Sequence, residues 1–129
     1  MPGKAVAVKN GNELRDTVGG LGSALGLGVR VEVPVGRRIW GAKRRIDVVL
    51  HERTTRLSLG LECKFQGVAG SAEEKIPATI EDIRSWPIRG LVVFSGPGFT
   101  ENMKSYLLST GMAVELEDLE DWLRLYFAL

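Results

Sequence analysis

Apolar and polar residues alternate along this chain with two different periods, and the switches between them outline its elements. After Asn10-Gly11-Asn12, a plausible helix cap, Leu14, Val18, Leu21 and Leu25 recur at helical spacing. Gly19, Gly20 and Gly22 weaken that helix and suit close packing against a sheet, while Gly26 and Gly28 mark its end. Val29, Val31, Val33 and Val35 then alternate with Arg30, Glu32 and Pro34, the pattern of a half-exposed strand, and Pro34 suits an edge. A turn or long hairpin tip over Gly36 to Lys43 carries Trp40. A second strand, Arg44 to His51, holds the run Val48-Val49-Leu50, and Glu52 to Arg56 forms a polar turn.

The third strand, Leu57 to Phe65, divides its residues between two faces. Leu57, Leu59, Leu61, Cys63 and Phe65 share one, and Ser58, Gly60, Glu62 and Lys64 share the other. A Gly-rich loop, Gln66 to Ser71, leads into a helix with Ala72-Glu73-Glu74 in its first turn and Pro77 in its early part, running to about Ser85. A short buried strand over Gly90 to Ser95 follows. Then come a turn, a helix over Thr100 to Thr110, a strand over Met112 to Leu116 and a closing helix over Glu117 to Leu129. The order α-β-β-β-α-β-α-β-α predicts an α/β fold, with a central mixed β-sheet of about five strands flanked by helices, as one domain over residues 1–129.

Composition narrows the choice of chemistry. Apolar residues make up 44% and charged residues 26%, which suits a globular chain rather than a disordered one. A lone cysteine, Cys63, permits no internal disulfide, and no Cys/His cluster offers a zinc site. Together with the lack of a secretory pattern near Met1 and of any long apolar run, this predicts a cytoplasmic protein without a membrane partner. The net charge of +1 is unevenly spread: Arg30, Arg37, Arg38, Lys43, Arg44, Arg45, Arg53 and Arg56 precede residue 62, and Glu115 to Asp121 is acidic. One face could therefore meet a polyanion, although mixed charge on a solvated surface gives the same pattern. The glycines of residues 19–28 spell neither G-x-G-x-x-G nor G-K-[ST], so no phosphate loop and no organic cofactor are expected. His51, the only histidine, reads as a surface or edge residue, and Cys63 as buried filler.

The chemistry concentrates on the second and third strands. A hairpin turn centred between Thr54 and Thr55 sets Asp47 opposite Glu62, with Lys64 two residues further along the same face. Two carboxylates at that separation can hold Mg²⁺ (or Mn²⁺), which keeps several waters and takes further ligands from a phosphate. The carbonyl of Cys63 could add a ligand. Such an ion acidifies water and neutralises charge on a phosphoryl transition state, and a nearby lysine can position the attacking water. An ordinary cross-strand ion pair is the alternative, contributing about 0.2–1 kcal/mol, too little to account for two clustered acids.

Asp47 followed by Glu62-Cys63-Lys64 on the next strand resembles the PD-(D/E)XK nuclease superfamily, the restriction-endonuclease-like fold, over roughly Asn12 to Leu116. The resemblance implies metal binding by Asp47 and Glu62 and water activation by Lys64. Glu13 matches the helix glutamate that reaches the metal in many members, and Gln66 and Lys75 take supporting roles at the site or its phosphates. Ile46 replaces the usual proline. It further implies a DNA endonuclease that leaves 5′-phosphate ends. The length is closer to Holliday junction resolvases and to small nucleases of phages or mobile elements than to restriction enzymes. Arg37, Arg38, Lys43, Arg44 and Arg45 would contact phosphates, and Trp40 among them could stack on or wedge into DNA. Cutting two strands predicts a homodimer. The rival readings are an inactive DNA-binding or assembly module of the same fold, and a metal-dependent phosphodiesterase acting on RNA or nucleotides.

Overall fold

The computed structural model describes residues 8–37, 43–68 and 76–129. Among these residues four α-helices, α1 (Gly11–Ala24), α2 (Ile76–Arg84), α3 (Glu101–Ser109) and α4 (Leu119–Phe127), flank five strands. The strands are β1 (Gly28–Arg37), β2 (Lys43–His51), β3 (Ser58–Phe65), β4 (Arg89–Ser95) and β5 (Ala113–Glu115), and they lie in the sheet in that order. β1, β2 and β3 form an antiparallel meander, and β4 and β5 join parallel to β3 through the crossovers containing α2 and α3. The predicted α/β order and mixed sheet are therefore present, extended by one 3₁₀ turn, Leu116–Asp118, ahead of α4.

Local chemistry sets the element ends. The Asn10 side chain accepts from the Glu13 amide at 2.8 Å, the cap expected for α1, and Thr100 does the same for α3 through the Met103 amide at 3.2 Å. Between β2 and β3, Glu52 closes the turn by accepting from the Thr54 and Thr55 amides at 3.0 and 2.9 Å. That turn makes β3 start one residue later than expected. Arg56 takes a left-handed φ of 63°, and Leu57 lies outside the strand, exposed, rather than among the leucines of the inner face.

Both sheet faces are covered. α1 and α4 seal one face over Val48, Leu50, Leu59, Leu61, Cys63, Leu91 and Val93. α2 and α3 seal the other over Ile46, Val92, Phe94 and Ala113, with Trp86 at its centre. The even-numbered face of β3 is thus not an open polar surface. At Gly60 it lies directly beneath the Trp86 ring, which a Cβ there would meet at 2.8 Å. The site must therefore sit beyond Gly60, toward the carboxyl end of β3. Gly22 admits Leu50 against α1 in the same way, the close approach expected of that glycine-rich helix.

Candidate active site

The β2–β3 ladder determines where the acidic groups meet. Its pairs run His51↔Ser58, Leu50↔Leu59, Val49↔Gly60 and Val48↔Leu61, the register that the turn centre predicted, and there the pairing ends. Beyond it Ile46 breaks the alternation of β2. Val48 and Leu50 belong to the α1 side, but Ile46 packs on the α2 side, against the position of Gly60. The strands part at this point, and a side chain enters the gap: Asp47 Oδ2 accepts from the Cys63 amide at 2.8 Å. Each residue of a strand turns its own N–H and C=O to the same side, so the Cys63 carbonyl faces that gap as well.

Glu62 lies next along β3 from Leu61, largely buried, and its carboxyl comes within hydrogen-bonding reach of Asp47. Lys64 sets its Nζ 3.6 Å from Glu62 Oε2 while keeping 37% of its side chain exposed. Asp47, Glu62 and Lys64 therefore converge at the fork, with the ammonium reaching solvent. Burial pushes the Asp47 carboxyl above its ordinary value. The Cys63 N–H works against that, the charge of Glu32 adds to it, and Lys64 and Glu62 oppose it. An acid held above its ordinary range in a site that opens to solvent gains from a nearby cation.

Glu32 is the residue that the sequence reading missed. Val31 pairs with Val48 and Val33 with Ile46, which leaves Glu32 across from Asp47. Its φ of 52° is left-handed, a conformation that L-residues with a Cβ seldom adopt. Val31 beside it is 51% exposed, so the simple in–out alternation expected of β1 fails here. A signal for it was present: the hairpin arithmetic used for β2 and β3, applied to a turn centred between Ile39 and Trp40, places Glu32 opposite Asp47.

The remaining named residues fall in several places. Gln66 is buried, with 6% exposure, its Nε2 donates to the Gly98 carbonyl at 2.9 Å, and its Oε1 is enclosed without a hydrogen-bond partner among the described residues. Glu13 is exposed at the start of α1, and its Oε1 accepts from the Lys9 amide. Among the described residues no three His, Cys, Asp or Glu groups come together as a metal cage, so Glu13 does not join Asp47 and Glu62 in one. Arg44 is committed to Asp82 of α2 at 2.8 Å with 16% of its side chain exposed, whereas Arg45 is exposed. Arg38, Trp40 and Lys75 lie outside the described residues, as do the side chains of Arg37 and Lys43. His51 is exposed and bonded to Ser58 at 3.0 Å, and the Cys63 thiol is buried, with burial pushing its pKa up. No helix among the described residues is long and apolar enough to cross a membrane.

The donor set suits a hard divalent ion. Two adjacent carboxylates and a strand carbonyl facing the same gap meet the needs of Mg²⁺, which takes one or two protein carboxylates and completes its shell with water and phosphate. A complete protein cage is not required.

Comparison with known proteins agrees with this architecture. A solved protein of unknown function shares the fold with a TM-score of 0.54 and 19% identity, over 78% of this chain and 54% of its own. A repair endonuclease from Pyrococcus abyssi aligns with a TM-score of 0.45 and 15% identity, over 85% of this chain and 47% of its own. The chain thus spans about half the length of each of these two structures. No curated protein matches. The family model for the PD-(D/E)XK nuclease superfamily domain covers residues 5–121, a span that contains the fork, both acids and the lysine, and the chain belongs to that superfamily.

Proposed function

We propose that this domain is a metal-dependent DNA endonuclease that hydrolyses phosphodiester bonds and leaves 5′-phosphate ends. The observation that carries the reading is the convergence of Asp47, Glu62 and Lys64 where β2 leaves β3. Asp47 and Glu62, with the Cys63 carbonyl, would hold Mg²⁺ or Mn²⁺. When bound, that ion supplies charge neutralisation at the scissile phosphate and lowers the pKa of water.

The chain's own residues supply the rest. The Cys63 amide fixes the Asp47 carboxylate by one oxygen. Lys64, held at Glu62 but open to solvent, orients the attacking water and donates to charge developing on the phosphate. Gln66, its Nε2 donating to the Gly98 carbonyl, would support the site by holding the segment that follows β3. Arg45, with Arg37, Arg38, Lys43, Trp40 and Lys75, would make the salt-dependent contacts that position DNA. Arg44 contributes through its Asp82 pair, by holding β2 against α2. Cutting of both strands would use two copies of the chain.

Purified protein incubated with linear, circular, branched and single-stranded DNA in Mg²⁺ tests the reading. Lys64→Ala should slow cleavage by roughly 10²–10⁴-fold while leaving DNA binding and the folded circular dichroism spectrum in place. Absence of Mg²⁺- or Mn²⁺-dependent cleavage of all four substrates by the unaltered chain would sink it.

A further inference from the structure

Beside the fork lies a second feature. A cleft of about 290 Å³ opens at the carboxyl ends of β4 and β5, lined among others by Phe94, Ser95, Gly96, Lys104, Glu115 and Glu117. Its position relative to the acids follows from the sheet. Lys64 pairs with Phe94, and Phe94 with Glu115, so the three form one row across adjacent parallel strands. Paired residues of parallel strands share a face, and Phe94 packs on the α2–α3 side, so Glu115 stands on the same side as Lys64. Two strand spacings separate their backbones by roughly 10 Å, no more than about three 3.4 Å base steps along one strand.

The lining narrows the ligand. Glu115 is partly buried and Glu117 exposed, against the single cation Lys104, which also reaches Glu101 at 3.9 Å. An anionic lining repels phosphate and accepts hydrogen bonds. Val8 and Pro97 supply the apolar part of the lining, and the Phe94 side chain is buried in the core beneath it. The volume lies at the lower end of ligand sites, enough for one base and part of its sugar but not for a duplex. Open α/β sheets commonly bind ligands in this crevice, outside the carboxyl ends of parallel strands. Burial raises the Glu115 carboxyl above its ordinary value, partly offset by Lys104 and reinforced by Glu117, Asp118 and Glu101, consistent with a carboxyl short of donors.

We propose that this cleft receives a nucleobase of the strand being cut, one whose exocyclic amino group donates to Glu115. The inference rests on the nuclease reading for the origin of that base. Cytosine and adenine present such a donor on the major-groove edge, guanine presents one on the minor-groove edge, and thymine presents O4 and a methyl group instead.

The test separates the cleft from the cleavage chemistry. The full chain, labelled with ¹⁵N and without divalent ion, is titrated with deoxycytidine, deoxyadenosine, deoxyguanosine and thymidine while amide shifts of Ser95, Gly96 and Glu115 are followed. The three amino-bearing nucleosides should move these amides at concentrations at least about fivefold below thymidine. Glu115→Gln supplies an amide that can donate to O4, so its preference should turn toward thymidine, an inversion that a merely structural role for Glu115 would not give. Equal responses to all four nucleosides, no response, or an unchanged preference in Glu115→Gln overturns the proposal. A response to inorganic phosphate abolished by Lys104→Ala also overturns it, since the cleft would then be an anion site. Cleavage of DNA with no nucleoside response leaves the nuclease reading standing and removes this one; a selective response without cleavage does the reverse.

Discussion

Asp47 serves two purposes, and substitutions there must be chosen accordingly. Its Oδ2 stands in for a backbone acceptor to Cys63, so Asp47→Ala would strand a partly buried amide and cost about 1–3 kcal/mol in addition to any catalytic loss. Asp47→Asn keeps an oxygen for that bond and removes only the charge. The Asp47 pKa is raised above its ordinary value near 3.8, so the folded state favours the protonated acid. Its contribution to stability is therefore complete below that value and is lost as pH rises through the raised one. Asp47→Asn should accordingly have a higher Tm than the unaltered chain at pH 7, and the difference should vanish as the pH falls toward 3.8. Thermal melts across that range, without divalent ion, measure it. Glu32 gives a related expectation at the same scale: Glu32→Gln removes a negative charge facing Asp47 and should lower the apparent pKa of that site.

At the scale of elements, most of what positions the site could be read from the chain. Period-2 and period-3.6 patterns located the five strands and four helices, the cap at Asn10 forms, and the turn around Thr54-Thr55 fixed the β2–β3 register. What escaped was departure from regular geometry. An alternation rule cannot foresee that Ile46 turns to the opposite face from Val48, or that Glu32 adopts a left-handed backbone, because each depends on contacts made across strands. Nor does periodicity show that Trp86 covers Gly60, since this follows from the loop after α2. That contact has a cost that can be measured. Gly60→Ala drives a methyl group into a rigid indole at 2.8 Å and should destabilise the fold by about 1–3 kcal/mol, lowering Tm by several degrees without changing metal dependence.

The whole molecule has a basic and an acidic region whose roles now differ. Arg44 is paired to Asp82, which leaves Arg45 as the residue of the Arg37–Arg45 stretch whose side chain is described and exposed. Arg45→Ala should reduce DNA affinity and flatten its dependence on salt by about one unit of the log–log slope, as fluorescence anisotropy at several ionic strengths would reveal. The acidic stretch beginning at Glu115 lies at the cleft and at the start of α4 rather than forming a loose tail. If two copies act together, sedimentation should show the dimer, and nicked intermediates should be short-lived relative to double-strand cuts.

The bond from the Cys63 amide to Asp47 also has a spectroscopic consequence. An amide proton aimed at a carboxylate moves strongly in chemical shift when that carboxylate gains or loses its proton, so one backbone resonance should report the ionisation of the fork directly. Followed by pH titration, the Cys63 resonance should inflect above 3.8, and addition of Mg²⁺ should shift that inflection to lower pH.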